Sequence, residues 1–96
     1  MFDMKRLFSK EEIAEFIDSL DFSKLNKEAD CLELNNNAYL CFNPSNAISN
    51  FFIMYYYKNE WRVVSKVKIG LTGDFEDDFT YGVERVMSDA KILEEY

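Results

Sequence analysis

Ninety-six residues, 48% of them hydrophobic and only four of them glycine or proline, describe a single folded domain with a modest core and exclude a disordered chain. Eighteen acids against eleven bases leave a net charge of −7, which repels nucleic-acid phosphates and anionic lipid and favours basic partners. No apolar run approaches bilayer-spanning length, the first eight residues lack the apolar stretch of a secretory signal, and two cysteines are too few for a disulfide scaffold; the expectation is a cytoplasmic protein with reduced thiols.

Residues 1–8 read as an arm, either flexible or packed on the fold. Ser9-Lys10-Glu11-Glu12 is a capping box, in which the Ser9 side chain takes the Glu12 amide while the Glu12 side chain reaches back to the Ser9 amide. Phe8 and Ile13 hold the staple positions, and Ile13, Phe16, Ile17 and Leu20 recur at helical spacing, so a helix begins there with its apolar stripe toward a core. Asp21 to Glu28 reads as a packed connection with room for one extra helical turn.

From Asp30 the period becomes two. Leu32 and Leu34 alternate with Cys31 and Glu33, Asn35-Asn36-Asn37 supplies turn chemistry, and Tyr39 to Phe42 returns as a second strand. Asn43 to Asn46 is a loop, Phe51 to Tyr57 is a third strand, and Lys58-Asn59 turns into a fourth in which Trp61, Val63, Val67 and Ile69 share one face. That pairing sends Phe52, Met54 and Tyr56 inward and Phe51, Ile53, Tyr55 and Tyr57 outward. Phe79, Val83, Val86, Ala90 and Leu93 form the stripe of a last helix, expected to run to the chain end. The expected architecture is α+β in the order αββββα: a two-layer fold with a four-stranded antiparallel sheet and both helices on one face.

Four of the five residues from Asp74 to Asp78 are acidic, and residues 74–96 carry eight acids against two bases, whereas residues 35–73 carry one acid against four bases. Carboxylates in a first helical turn are ordinary helix punctuation, but one or two suffice for it. The other reading is a partner-binding surface built from Asp74, Glu76, Asp77, Asp78 and Glu84, with Tyr55 and Tyr57 as aromatic anchors. An EF-hand starting at Asp74 needs Gly at its sixth position and Glu at its twelfth, where this chain has Phe79 and Arg85, so no calcium loop is expected.

Cys31 and Cys41 flank the asparagine turn symmetrically and are expected opposite one another as small packed hydrophobes. There is no histidine, no phosphate-binding glycine pattern and no nucleophile–base motif, so neither an enzyme nor a cofactor or metal site is expected.

The element order resembles the helix, three strands, helix plan of double-stranded RNA binding domains, which place basic residues where this chain has Asp74 to Asp78. In size, acidity and lack of catalytic groups the chain is similar to small phage inhibitors of host nucleases, including anti-CRISPR proteins, and to immunity proteins of nuclease toxins. That resemblance implies a non-enzymatic inhibitor occupying the positive nucleic-acid-binding surface of a basic nuclease or another defence or toxin protein. Two alternatives stand beside it: an adaptor that forms a homodimer or docks a partner through an aromatic sheet face, and single-strand stacking on that face.

Overall fold

The computed structural model describes residues 2–35 and 37–95. Its elements are β1 (Phe2–Arg6), α1 (Lys10–Asp18), a 3-10 turn (Phe22–Lys24), β2 (Asp30–Leu34), β3 (Ala38–Phe42), β4 (Phe51–Tyr57), β5 (Glu60–Val67), α2 (Phe75–Asp89) and β6 (Lys91–Glu95). The fold is α+β: β2-β3-β4-β5 form an antiparallel meander, and β1-β6 form a separate two-stranded antiparallel sheet. α2 packs over β4 and β5, while α1 packs against α2.

The capping box is formed. The Ser9 amide donates to Glu12 Oε1 at 3.0 Å and the Glu12 amide donates to Ser9 Oγ at 3.1 Å, with Phe8 and Ile13 buried around the entry. The connection does contain an extra turn, started by Asp21, which accepts from the Ser23 amide.

Both chain ends depart from the sequence reading. α2 stops at Asp89 because Ala90 takes an extended conformation (φ −70°, ψ 120°), and its carbonyl then accepts from the Leu7 amide at 3.0 Å. The last residues continue as β6 against β1, with Phe2 opposite Glu95 and Arg6 opposite Lys91, so Leu93 belongs to a strand rather than to the helix stripe. Residues 2–6 are therefore a strand, and Leu7 and Phe8 are core residues. The partner that draws these ends into pairing lies at the opposite terminus, where a local apolar pattern carries no information about it.

The facing of the sheet is also the reverse of the expectation. The Lys58-Asn59 turn has positive φ at both residues (51° and 62°), as the tight hairpin requires, and it sets Tyr56 opposite Trp61 and Met54 opposite Val63 as read. The register then shifts between Ile53 and Met54, because β5 carries Val64 as an extra residue and Ser65 pairs with Ile53. A bulge changes the parity of alternation. Val67 and Ile69 therefore turn to the helices while Trp61 and Val63 turn away, and Phe51 and Ile53, both 0% exposed, are core rather than outward residues.

The core joins Ala38, Leu40 and Phe42 of β3 to Phe51 and Ile53 of β4 beneath Phe79, Val83, Val86 and Met87 of α2. Phe51 lies 4.8 Å from Phe42 and 5.5 Å from Phe79 between ring centroids. It also fills the space over Gly82, where a Cβ would overlap its ring. Helix and sheet approach closely because that position has no side chain.

Candidate binding surfaces

The acidic run divides by role. Asp74 is the N-cap of α2, its Oδ1 accepting from the Asp77 amide at 3.1 Å. Asp78 is 7% exposed and turned back onto the preceding loop. Its carboxylate accepts from the Thr72 amide at 3.0 Å, the Thr72 hydroxyl at 2.8 Å and the Gly73 amide at 3.3 Å. The Thr72 amide, aided by its hydroxyl and by Gly73 and opposed by burial, holds the Asp78 carboxyl below its ordinary value of 3.8. Gly73, at φ +99°, shapes the loop so that these donors converge. Asp74 and Asp78 are thus occupied with fixing the start of α2, and their carboxylates are committed to the chain itself.

Glu76, Asp77 and Glu84 are exposed on α2, and none of them forms an ion pair with a described residue. Directly after Glu84, Arg85 interrupts the acidic helix, lying 5.8 Å over the Tyr81 ring and donating to its hydroxyl at 3.3 Å.

Tyr55 and Tyr57 lie on the helix side of the sheet. Tyr55 is half-buried against the core, Tyr57 stacks on it at 5.9 Å between centroids, and Lys58 and Arg62 cover the Tyr57 ring at 5.3 and 5.9 Å. Tyr55, Tyr57, Arg62, Val63, Val64 and Ile92 line a hollow of about 250 Å³ beside β6. Tyr55 is thus held among its neighbours, while Tyr57 keeps 37% of its surface exposed beneath the two cations.

A larger group of exposed aromatics stands on the other face. Tyr39 (38% exposed), Tyr56 (39%), Trp61 (47%) and Val63 (55%) come together on β3, β4 and β5, with the Trp61 ring 5.6 Å from Tyr39 and 5.0 Å from Tyr56. Half-buried Phe52 and Met54 continue the surface. Glu33, Asn35, Tyr39, Tyr56 and Trp61 edge a shallow hollow of about 420 Å³. The register gives this face two charged side chains, Glu33 in the row of Tyr39, Met54 and Val63, and Lys66 in the row of Cys31, Cys41 and Phe52. α2 packs on the opposite side, against Phe51, and α1 packs against α2, so neither helix of the described residues is seen to contact this face.

The sequence reading turns Tyr56, Trp61 and Val63 inward because the alternation across β5 gives no sign of the bulge, and it assigns Tyr39 to no face. Asn50 was likewise missed. It is fully buried, donating through Nδ2 to the Ile69 carbonyl and accepting from the Ile69 amide, both at 3.0 Å, which holds the chain in place beyond the end of β5.

Among the described residues no group of three His, Cys, Asp or Glu side chains is arranged to hold a metal ion. No described helix is long and apolar enough to cross a membrane. Comparison with family models, curated proteins and solved structures found no match to this chain.

Proposed function

We propose that this protein is a non-enzymatic binding module whose outer sheet face, centred on Trp61 with Tyr39, Tyr56 and Val63, docks a basic protein that presents an apolar patch rimmed by lysine or arginine. The observation that carries this reading is the cluster of four exposed large apolar side chains on one uncovered sheet face. Scattered surface apolars are ordinary, but contiguous ones mark contact sites, and Trp and Tyr are the residues most enriched among interface anchors. A basic partner is favoured over a second copy because two chains of −7 repel, while opposite charge accelerates encounter.

A second reading is supported by Glu76, Asp77 and Glu84, which stand exposed without ion pairs among the described residues. On that reading the protein inhibits a nuclease or a related defence or toxin protein by occupying its nucleic-acid-binding surface, and the acids on α2 stand in for phosphate.

Paired affinity baits separate the two. Tyr56→Ser/Trp61→Ser should lose a partner that the wild-type chain retains, and Glu76→Gln/Asp77→Asn/Glu84→Gln should keep it with a weaker salt dependence. Loss on the acid variant with retention on the aromatic variant would replace the first reading by the second. A wild-type dimer in light scattering, dispersed by Trp61→Ser, would assign the face to a second copy and refute the basic-partner proposal.

A further inference from the structure

β3 is an interior strand, so its backbone groups are shared between two neighbours. The Asn43 amide donates to the Asn50 carbonyl at 2.9 Å and the Tyr56 amide donates to the Asn37 carbonyl at 3.0 Å, which directs the odd-numbered residues of β3 toward β4. The even-numbered residues then serve β2, and Cys41 stands opposite Cys31 as a non-hydrogen-bonded pair. In such pairs the Cα atoms are about 4.5 Å apart, inside the roughly 4.4 to 6.8 Å that a disulfide spans. As register partners the two residues also project their side chains to the same face of the sheet. Cys31 is exposed on the sheet edge while Cys41 is buried, and both are free.

We propose that Cys31 and Cys41 form a dithiol site that reacts with a low-molecular-weight disulfide, such as oxidised glutathione, and closes to a cross-strand disulfide without backbone rearrangement. This inference stands independently of what docks on the sheet. The Cys31 thiolate attacks one sulfur of the reagent, breaking its S–S bond, releasing one thiol and leaving a mixed disulfide on Cys31. Cys41 then gives up its proton and attacks the Cys31 sulfur, breaking the mixed disulfide and releasing the second thiol. Two electrons pass from the protein to the reagent, and the two thiol protons end on the two released thiols.

The asymmetry of the pair sets the order. Burial first, then the hydrogen bond to Cys31 and its charge, push the Cys41 thiol up to about 12, so little of it is thiolate at neutral pH. Capping Cys31 removes its charge but leaves Cys41 buried. The second step is therefore slow, and the mixed disulfide accumulates before it closes.

The reduced full chain is incubated with oxidised glutathione, quenched with acid, alkylated, and followed by intact mass and peptide mapping. The expected course is a transient single glutathione adduct on Cys31, then a cross-linked product with no alkylatable thiol and no retained glutathione. Cys41→Ala should stop at the adduct, and Cys31→Ser should react at least 10-fold more slowly. The oxidised wild type should melt roughly 10 °C higher, because the link constrains the unfolded chain. A stable glutathione adduct on the wild type, an intermolecular disulfide, an inert chain, or an oxidised form that melts no higher than the reduced one would overturn the proposal.

Discussion

Gly82→Ala tests the packing that brings α2 onto the sheet. In an open helix the change is stabilising, since alanine improves on glycine by about 1 kcal/mol in helix propensity. Here the added Cβ would fall within the contact distance of three atoms of the Phe51 ring. That ring cannot step aside, because it is fully buried between Phe42 at 4.8 Å and Phe79 at 5.5 Å. Overpacking of this kind typically costs about 1 to 3 kcal/mol, and backbone displacement of α2 adds to it, so the expected net loss is about 2 kcal/mol. For a domain of this size that lowers the melting temperature by roughly 10 °C in circular dichroism. Phe51→Leu shortens the obstructing side chain, so Gly82→Ala should cost at least about 1 kcal/mol less in that background than in the wild type. A Gly82→Ala protein that melts at or above the wild-type temperature, or a double mutant whose losses simply add, would refute the close-approach account.

Other outcomes follow from single sites. Asp78 titrates at a lower pH in the folded chain than in the unfolded one, so its stabilisation is complete above about pH 5 and is lost as pH falls through the folded value; the gap in melting temperature between wild type and Asp78→Asn should therefore be widest near pH 6 and close toward pH 2, and a pH-independent gap would contradict it. Ser65 Oγ is buried without a hydrogen-bond partner among the described residues, so Ser65→Ala should raise stability by about 1 kcal/mol in urea titration. Lys58 and Asn59 both adopt positive φ, and Lys58→Asn/Asn59→Gly, the pair best suited to that turn, should stabilise by about 0.5 to 1 kcal/mol without changing the urea slope.

Local chemistry was legible where its causes are local. The Ser9–Glu12 capping box, the Lys58-Asn59 turn, the Cys31–Cys41 register and the span of β4 could all be read from neighbouring residues, because caps and two-residue turns are decided within a few positions. The last strand was not, since Ala90 to Glu95 reads equally well as the end of an apolar stripe, and only pairing with β1 across the whole chain selects the strand. The facing of the sheet was not legible either. With Val64 inserted, the alternation that puts Trp61 beside Val67 in sequence separates them in space, so Tyr56 and Trp61 stand on the face opposite Tyr55, Tyr57 and Val67. The charge pattern was visible at once, but not that Asp74 and Asp78 are committed to capping and to the Thr72–Gly73 loop.

Trp61 is the only tryptophan of the chain and sits at the centre of the proposed docking surface. Labelled as 5-fluorotryptophan, it gives one fluorine resonance that reports on that face alone. Titration with the partner retained by the wild-type bait should shift this resonance in step with complex formation, and dilution of the free protein should leave it unmoved. A complex that forms on size-exclusion chromatography while the Trp61 resonance stays in place would contradict docking on the outer sheet.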